Sequence, residues 1–224
     1  MLRIAIIPAR AQSKGIPGKN LKIVGGRSLV VRAIQAAKDC SLFDKIIVST
    51  DGEEIAREAR GAGADVVMRP LELSADDSRT IDAIEHVLKS YGYDAGMCVL
   101  LQPTSPLRSG QDVQQAVALW EQHGRGSVVA VTEVDHHPLK MILKDEMGFS
   151  PVRDHADLEA PRQALPLAFR VNGAIYVNSI SDLLAERSFL VAPIVPYEMP
   201  AQRSIDIDSV ADLKLANSMI GDEE

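Results

Sequence analysis

Residues 9–20 read ARAQSKGIPGKN, a loop that combines two glycines with three cations. Gly15 and Gly18 let the backbone turn and come close to a ligand, so that successive N–H groups can point at an anion. Arg10, Lys14 and Lys19 add full charges at the same place, which is the chemistry of binding a polyanion. Neither standard nucleotide fingerprint fits. The residue after Lys19 is Asn20 rather than Ser or Thr, the glycines stand three apart, and no G-x-G-x-x-G occurs here.

Near the other end, residues 204–208 read SIDID. As a strand, its period of two places Ile205 and Ile207 on one face and Asp206 and Asp208 on the other. Two neighbouring carboxylates repel unless a cation lies between them, and Mg²⁺ favours a few carboxylates together with substrate phosphate oxygens. The same run mimics the nucleophile motif of haloacid-dehalogenase phosphatases, but too little chain follows Asp208 to build the rest of that fold.

Three further sites carry polar chemistry. In residues 102–108, QPTSPLR, prolines stiffen a turn and leave Gln102, Thr104, Ser105 and Arg108 as polar groups. His136-His137 invites a metal assignment, yet no cysteine or third histidine lies at ligand spacing. Cys40 and Cys98 read as small buried side chains, too few for a disulfide framework and consistent with a reducing cytoplasm.

Charge narrows the partners. The chain of 224 residues has a formal net charge of −7, which argues against a general nucleic-acid binder. Its cations are nonetheless gathered early. Arg3, Arg10, Lys14, Lys19, Lys22, Arg27, Arg32 and Lys38 all precede the first carboxylate, Asp39. The hydrophobic run at the start ends at Pro8, too short for a signal-peptide core or a membrane span, so a cytoplasmic protein without a membrane is expected.

The elements that must position these residues follow from periodicity. Strands are expected at Ile4–Ile7, Lys45–Ser49, Ala64–Met68, Met97–Leu101 and Val128–Val134, with helices at Leu29–Lys38, Glu53–Gly61, Thr80–Tyr91 and Gln111–His123 between them. That alternation implies an α/β fold, a mostly parallel sheet with helices on both faces, whose ligands lie beyond the carboxyl ends of the strands. Residues 135–169 lose the rhythm. They contain a hairpin around Glu146-Met147-Gly148 and read as a flap or dimerisation insertion in a single domain spanning 1–224. The rhythm resumes with Gly173–Val177, a helix at Ile180–Glu186, a strand near Val191–Val195, and a last strand and helix through Ile205–Ile220.

Taken together, residues 9–20, IIVSTD at 46–51, LLQPTSPLR at 100–108, HHPLK at 136–140, Pro161-Arg162-Gln163, RVNGAIY at 170–176 and SIDID at 204–208 resemble the acylneuraminate cytidylyltransferases in their bacterial single-domain form. The resemblance implies a homodimeric α/β nucleotidyltransferase that activates a nonulosonic (sialic) acid with CTP and Mg²⁺. It implies CTP contacts from Arg10, Ser13, Lys14, Lys19, Asn20, Arg69 and Thr80. A capping role for Thr80 is the alternative. Catalytic roles fall to Arg10, Lys19 and Asp208, and Mg²⁺ to Asp206 and Asp208. The attacking hydroxyl's base is Asp208 or the substrate's own carboxylate. Gln102, Lys140, Arg162, Arg170, Asn172, Tyr176, Phe189 and Leu190 would meet the sugar acid, with Arg162 crossing to the neighbouring subunit. Leu190 departs from the second of two aromatics in that family, which leaves legionaminate, pseudaminate and 3-deoxy-manno-octulosonate open as substrates. A CTP-binding regulator without catalysis is the reading from another class.

Overall fold

The computed structural model describes residues 1–13, 15–74, 78–146 and 148–220. β1 (Arg3–Pro8) enters the loop that holds the early cations. A two-residue pair, β2 (Ile23–Val24) and β3 (Arg27–Ser28), closes that loop ahead of α1 (Leu29–Asp39). Then follow β4 (Lys45–Thr50), α2 (Glu53–Gly61), β5 (Asp65–Met68), α3 (Thr80–Tyr91), β6 (Met97–Leu100), α4 (Gly110–His123) and β7 (Ser127–Glu133). The hairpin of β8 (Ile142–Asp145) and β9 (Gly148–Pro151) falls where one was expected, and Met147 between the strands lies outside the described residues. The short α5 (His155–Glu159) leads to β10 (Phe169–Ser179), α6 (Ile180–Glu186), β11 (Ile194–Glu198) and α7 (Val210–Ile220).

Seven strands form one sheet in the order β11-β7-β10-β6-β1-β4-β5. All neighbours run parallel except β10, which is antiparallel to both β6 and β7. The strands bury both faces, as their near-continuous apolar sequences require. In β1, Ala5 and Ile7 join one core with α1, α2 and α4, while Ile4 and Ile6 join another with α3 and α6. Helices therefore cover both faces. Ser28, Ser109 and Ser179 cap α1, α4 and α6 by accepting N–H groups of the first turn.

Residues 204–208 form no strand, contrary to the expectation from their alternation. The segment runs past the carboxyl edge of the sheet, where the amide of Ile207 donates to the Thr104 carbonyl at 2.8 Å. Ile207 is buried with Ile16, Val24, Leu29 and Ala216, and the alternation reflects that small core on one side and the cleft lined by Asp206 and Asp208 on the other. The strand expected near Val191–Val195 begins only at Ile194, because Val191 is held by Ser127 ahead of Pro193.

Among the described residues, no helix is long and apolar enough to cross a membrane.

Candidate active site

The cleft begins where β1 ends. Its first wall is the loop expected to bind an anion, with Arg10, Ser13, Lys19 and Asn20 lining a volume of about 350 Å³. Lys14 lies outside the described residues. Buried Asn20 donates to the Arg10 carbonyl at 2.8 Å, and Asp51 at the end of β4 accepts the Ala11 amide at 2.8 Å. These bonds hold the loop against the sheet. Gly15 lies so close to residues 204–208 that a Cβ there would sit 2.6 Å from the Asp208 carbonyl oxygen.

Lys19 joins the two ends of the chain. Its Nζ donates to the Ile207 carbonyl at 2.7 Å and to Asp208 Oδ1 at 2.9 Å. The lysine side chain is 11% exposed and the aspartate side chain 77%. One carboxylate of the pair is therefore open to a ligand while its cation partner is anchored.

Asp206 lines the same cleft. Burial pushes its carboxyl up and the charge of Asp208 adds to that, while a hydrogen bond from Thr104 and the charges of Lys19 and Arg170 oppose it. Its Oδ1 is buried without a hydrogen-bond partner. Such an orphaned acceptor beside an exposed second carboxylate suits a small divalent ion that completes its shell with phosphate oxygens and water. Among the described residues no cluster of three or more metal-ligating side chains exists, so an all-protein cage is not what this site offers.

The second wall comes from the connection between β5 and α3. Arg69 is buried, donates to the Ser49 carbonyl at 2.8 Å, and has its guanidinium pulled below its ordinary value by burial. Thr80 is the first residue of α3 and faces the cleft, while the cap position belongs to Arg79, whose amide donates to Asp82 at 3.2 Å. Gln102 and Thr104 form the floor after β6. Gly173, at φ 76°, leaves the space that Gln102 fills, since a Cβ there would meet Gln102 Oε1 at 2.6 Å. Arg108 braces this turn from within by donating to the carbonyls of Gln102 and Ala174, and burial brings its guanidinium down to about 10.

Of the other expected ligand residues, Arg170 borders an adjoining hollow with Asp206 and Asp208, and the rest lie elsewhere. Lys140 and Arg162 line a separate hollow with Asp135, His136 and His137. Arg162 donates to the carbonyls of Val134 and Asp135, and Lys140 to those of Leu158 and Ala160. His137 is tied to Pro166 and Leu139. Arg170 donates to the Ser204 carbonyl at 3.1 Å, and buried Asn172 donates to Ser204 Oγ at 3.0 Å, so both hold the segment that carries Asp206 and Asp208. Tyr176 packs on Phe189 with ring centroids 5.6 Å apart, and Leu190 next to it is 47% exposed.

Ser74, Ser78 and Arg79 also line the cleft, and reasoning from sequence did not single them out. Their position after the third main strand was the available signal, because loops at the carboxyl edge of a parallel sheet face ligands.

An α/β sheet with a cationic loop and a carboxylate pair at its carboxyl edge defines a nucleotidyltransferase-like protein. The cytidylyltransferase family model matches residues 4–174, and the chain belongs to that family. It is 36% identical over 211 residues to the N-acylneuraminate cytidylyltransferase of Streptococcus agalactiae, covering 93% of this chain and 51% of that one. The Escherichia coli O18:K1:H7 protein of the same name is 32% identical over 214 residues, covering 95% and 51%. The chain thus spans about half the length of these relatives. It matches the CMP-N,N'-diacetyllegionaminic acid synthase of Legionella pneumophila at 33% over 226 residues, covering 97% of this chain and 95% of that one. Among solved structures, a CMP:2-keto-3-deoxy-manno-octonic acid synthetase complexed with CTP shares the fold, with a TM-score of 0.75 over the whole of both chains at 16% identity.

Proposed function

We propose that this chain transfers CMP from CTP to the anomeric hydroxyl of N-acetylneuraminate or a closely related nonulosonic acid, releasing pyrophosphate. The observation that carries the reading is the meeting of Lys19 with Asp208 in one cleft, which sets a phosphate-binding cation beside an open carboxylate. Attack at the α-phosphorus must be in line with the departing pyrophosphate, so positioning and charge neutralisation are the protein's main tasks.

Arg10, Lys14 and Lys19 hold the triphosphate and receive the charge that develops on the leaving group. Ser13, Asn20, Arg69 and Thr80 complete the nucleotide subsite. Asp206 and Asp208 are the residues to hold Mg²⁺, which when bound supplies a Lewis acid at the α-phosphate. Gln102 and the Tyr176–Phe189 pair line the acidic sugar's side.

A homodimer accounts for Lys140 and Arg162. Both stand outside the main cleft, on a segment whose hairpin exposes Ile142, Leu143 and Phe149. A second copy covering that apolar surface would bring the two cations to its neighbour's sugar site.

A cytidylyltransferase for another acidic keto-sugar is the second reading, favoured by the exposed Leu190 next to Phe189. The experiment is pyrophosphate release with CTP and Mg²⁺ across N-acetylneuraminate, legionaminate, pseudaminate and 3-deoxy-manno-octulosonate. Release with one or more of them is expected. CTP binding without release on any acid would instead favour a regulator, and no CTP binding would end the reading.

A further inference from the structure

Arg187 closes α6 in the left-handed conformation, at φ 47° and ψ 41°. From there its guanidinium reaches α3, more than a hundred residues earlier in the chain. Nη1 donates to Glu85 Oε2 and Nη2 to Asp82 Oδ1, each at 2.6 Å. The Glu85 side chain is 8% exposed, so the arginine pairs with Oε2 of a carboxylate that sits almost inside the core, while its Oε1 is buried without a hydrogen-bond partner. Lys89 is the other cation near it, at 3.8 Å.

The α3 end of this bridge borders the candidate site. Asp82 stands in the first turn of α3, where it accepts the Arg79 amide and lies 3.5 Å from the Arg79 guanidinium. Arg79 and Thr80 line the nucleotide cleft. Two residues beyond Arg187, Phe189 packs on Tyr176 against the core under α3 and α6, the pair assigned above to the acidic sugar. Asp82 Oδ1 is thus shared by two arginines, with Arg187 holding the shorter contact and Arg79 the longer one.

We propose that Arg187 is a positioning residue that latches the start of α3 to the α6–β11 connection. It occupies Asp82 so that Arg79 stays available to the nucleotide, and it fixes Phe189 on the acidic sugar's side. This rests on the function proposed above. Without Arg187, Asp82 Oδ1 is left to Arg79 alone, and the existing i, i+3 pair at 3.5 Å tightens and draws Arg79 off the cleft. The Phe189 side loses its tie to α3 by the same change.

The two consequences separate in one experiment. Arg187→Gln alone would strand a buried carboxylate, so it is combined with Glu85→Gln to keep the fold. In this double variant the Kd for CTP, measured by calorimetry, should rise about fivefold, and the KM for N-acetylneuraminate should rise about tenfold with kcat within about twofold. Adding Asp82→Asn keeps an acceptor for the Arg79 amide but removes the competing charge. It should return the CTP Kd to within about twofold of wild type while the sugar KM stays raised. Arg187→Lys, which preserves a cation for Glu85, should give an intermediate rise in both constants.

A double variant that binds CTP and sugar as wild type does would overturn the latch. So would a CTP affinity that Asp82→Asn fails to restore, or, if the double variant does not fold, wild-type constants in Arg187→Lys. Wild-type protein that neither binds CTP nor releases pyrophosphate would overturn the proposed function and the latch with it. Normal wild-type turnover with unmoved variants would sink the latch alone.

Discussion

Lys19 and Asp208 meet at 2.9 Å although 189 positions separate them in the chain. The same lysine nitrogen holds the Ile207 carbonyl, so one cation ties the first loop of the sheet to the segment before the last helix. Because the aspartate is mostly exposed, the ion pair itself contributes little to stability, about 0–1 kcal/mol. Under the proposed function its value lies in setting the cation proposed for phosphate beside the carboxylate proposed for the metal.

Replacing Asp208 with Ala should therefore leave the thermal midpoint within about 3 °C of wild type. Magnesium-dependent pyrophosphate release should fall about 10²-fold or more, as loss of a metal clamp requires. Near-normal turnover would remove Asp208 from the metal role.

Gly15→Ala tests the close approach of the loop to residues 204–208. The new Cβ would sit 2.6 Å from a backbone oxygen that cannot swing aside, so the two segments must separate. Separation stretches the Lys19–Asp208 contact, and the KM for CTP should rise about tenfold or more. An unchanged KM would show that the loop reaches its ligand without this contact.

Arg162 and Lys19 variants together test sharing of sites across a dimer. Each change alone should impair turnover, but a mixture should recover about a quarter of wild-type activity when one hybrid site has both residues intact. Failure to recover activity, with subunit exchange confirmed by mass, would place Arg162 in its own chain's site or in none.

Asp112 sets a stability that depends on pH. It is 1% exposed, completes the capping box of α4 by accepting the Ser109 amide, and accepts hydrogen bonds from Arg203 and Tyr197. Burial alone would raise its carboxyl, but the bonds from Arg203 and Ser109 prevail and hold it below the usual carboxylate value. A depressed folded value means that the stabilisation is complete above the unfolded value, about 3.9, and is lost as pH falls through the lower folded value. Asp112→Asn should destabilise the protein by about 2 kcal/mol at pH 7, a fall of about 4–8 °C in thermal midpoint. The gap between variant and wild type should narrow below about pH 4, and a gap constant from pH 7 to pH 3 would contradict it.

Local order was legible from the residues alone. Strand runs at Ile4–Ile7, Lys45–Ser49 and Met97–Leu101 and the helices between them appear within a residue or two of their expected bounds, because side-chain period is a local property and their apolar faces have a single way to be buried. The cationic loop was equally legible, since glycine spacing and a lack of carboxylates lie within one short stretch. Periodicity misled at residues 204–208, where alternation comes from a small core around Ile207 rather than from strand pairing. Ser78 and Arg79 carried no pattern of their own and entered the cleft only because α3 begins there.

What the amino-acid sequence determined by itself is the α/β order, the cationic and glycine-bearing make-up of the first loop and the family resemblance. Tertiary structure decided which distant groups share a space. It brought Asp208 to Lys19, turned Asn172 and Arg170 toward Ser204, and set Lys140 and Arg162 in a hollow of their own. Spacing along a chain reports neighbours within a few residues, whereas the meeting of segments nearly two hundred residues apart depends on how the whole sheet packs and where its loops are forced to cross.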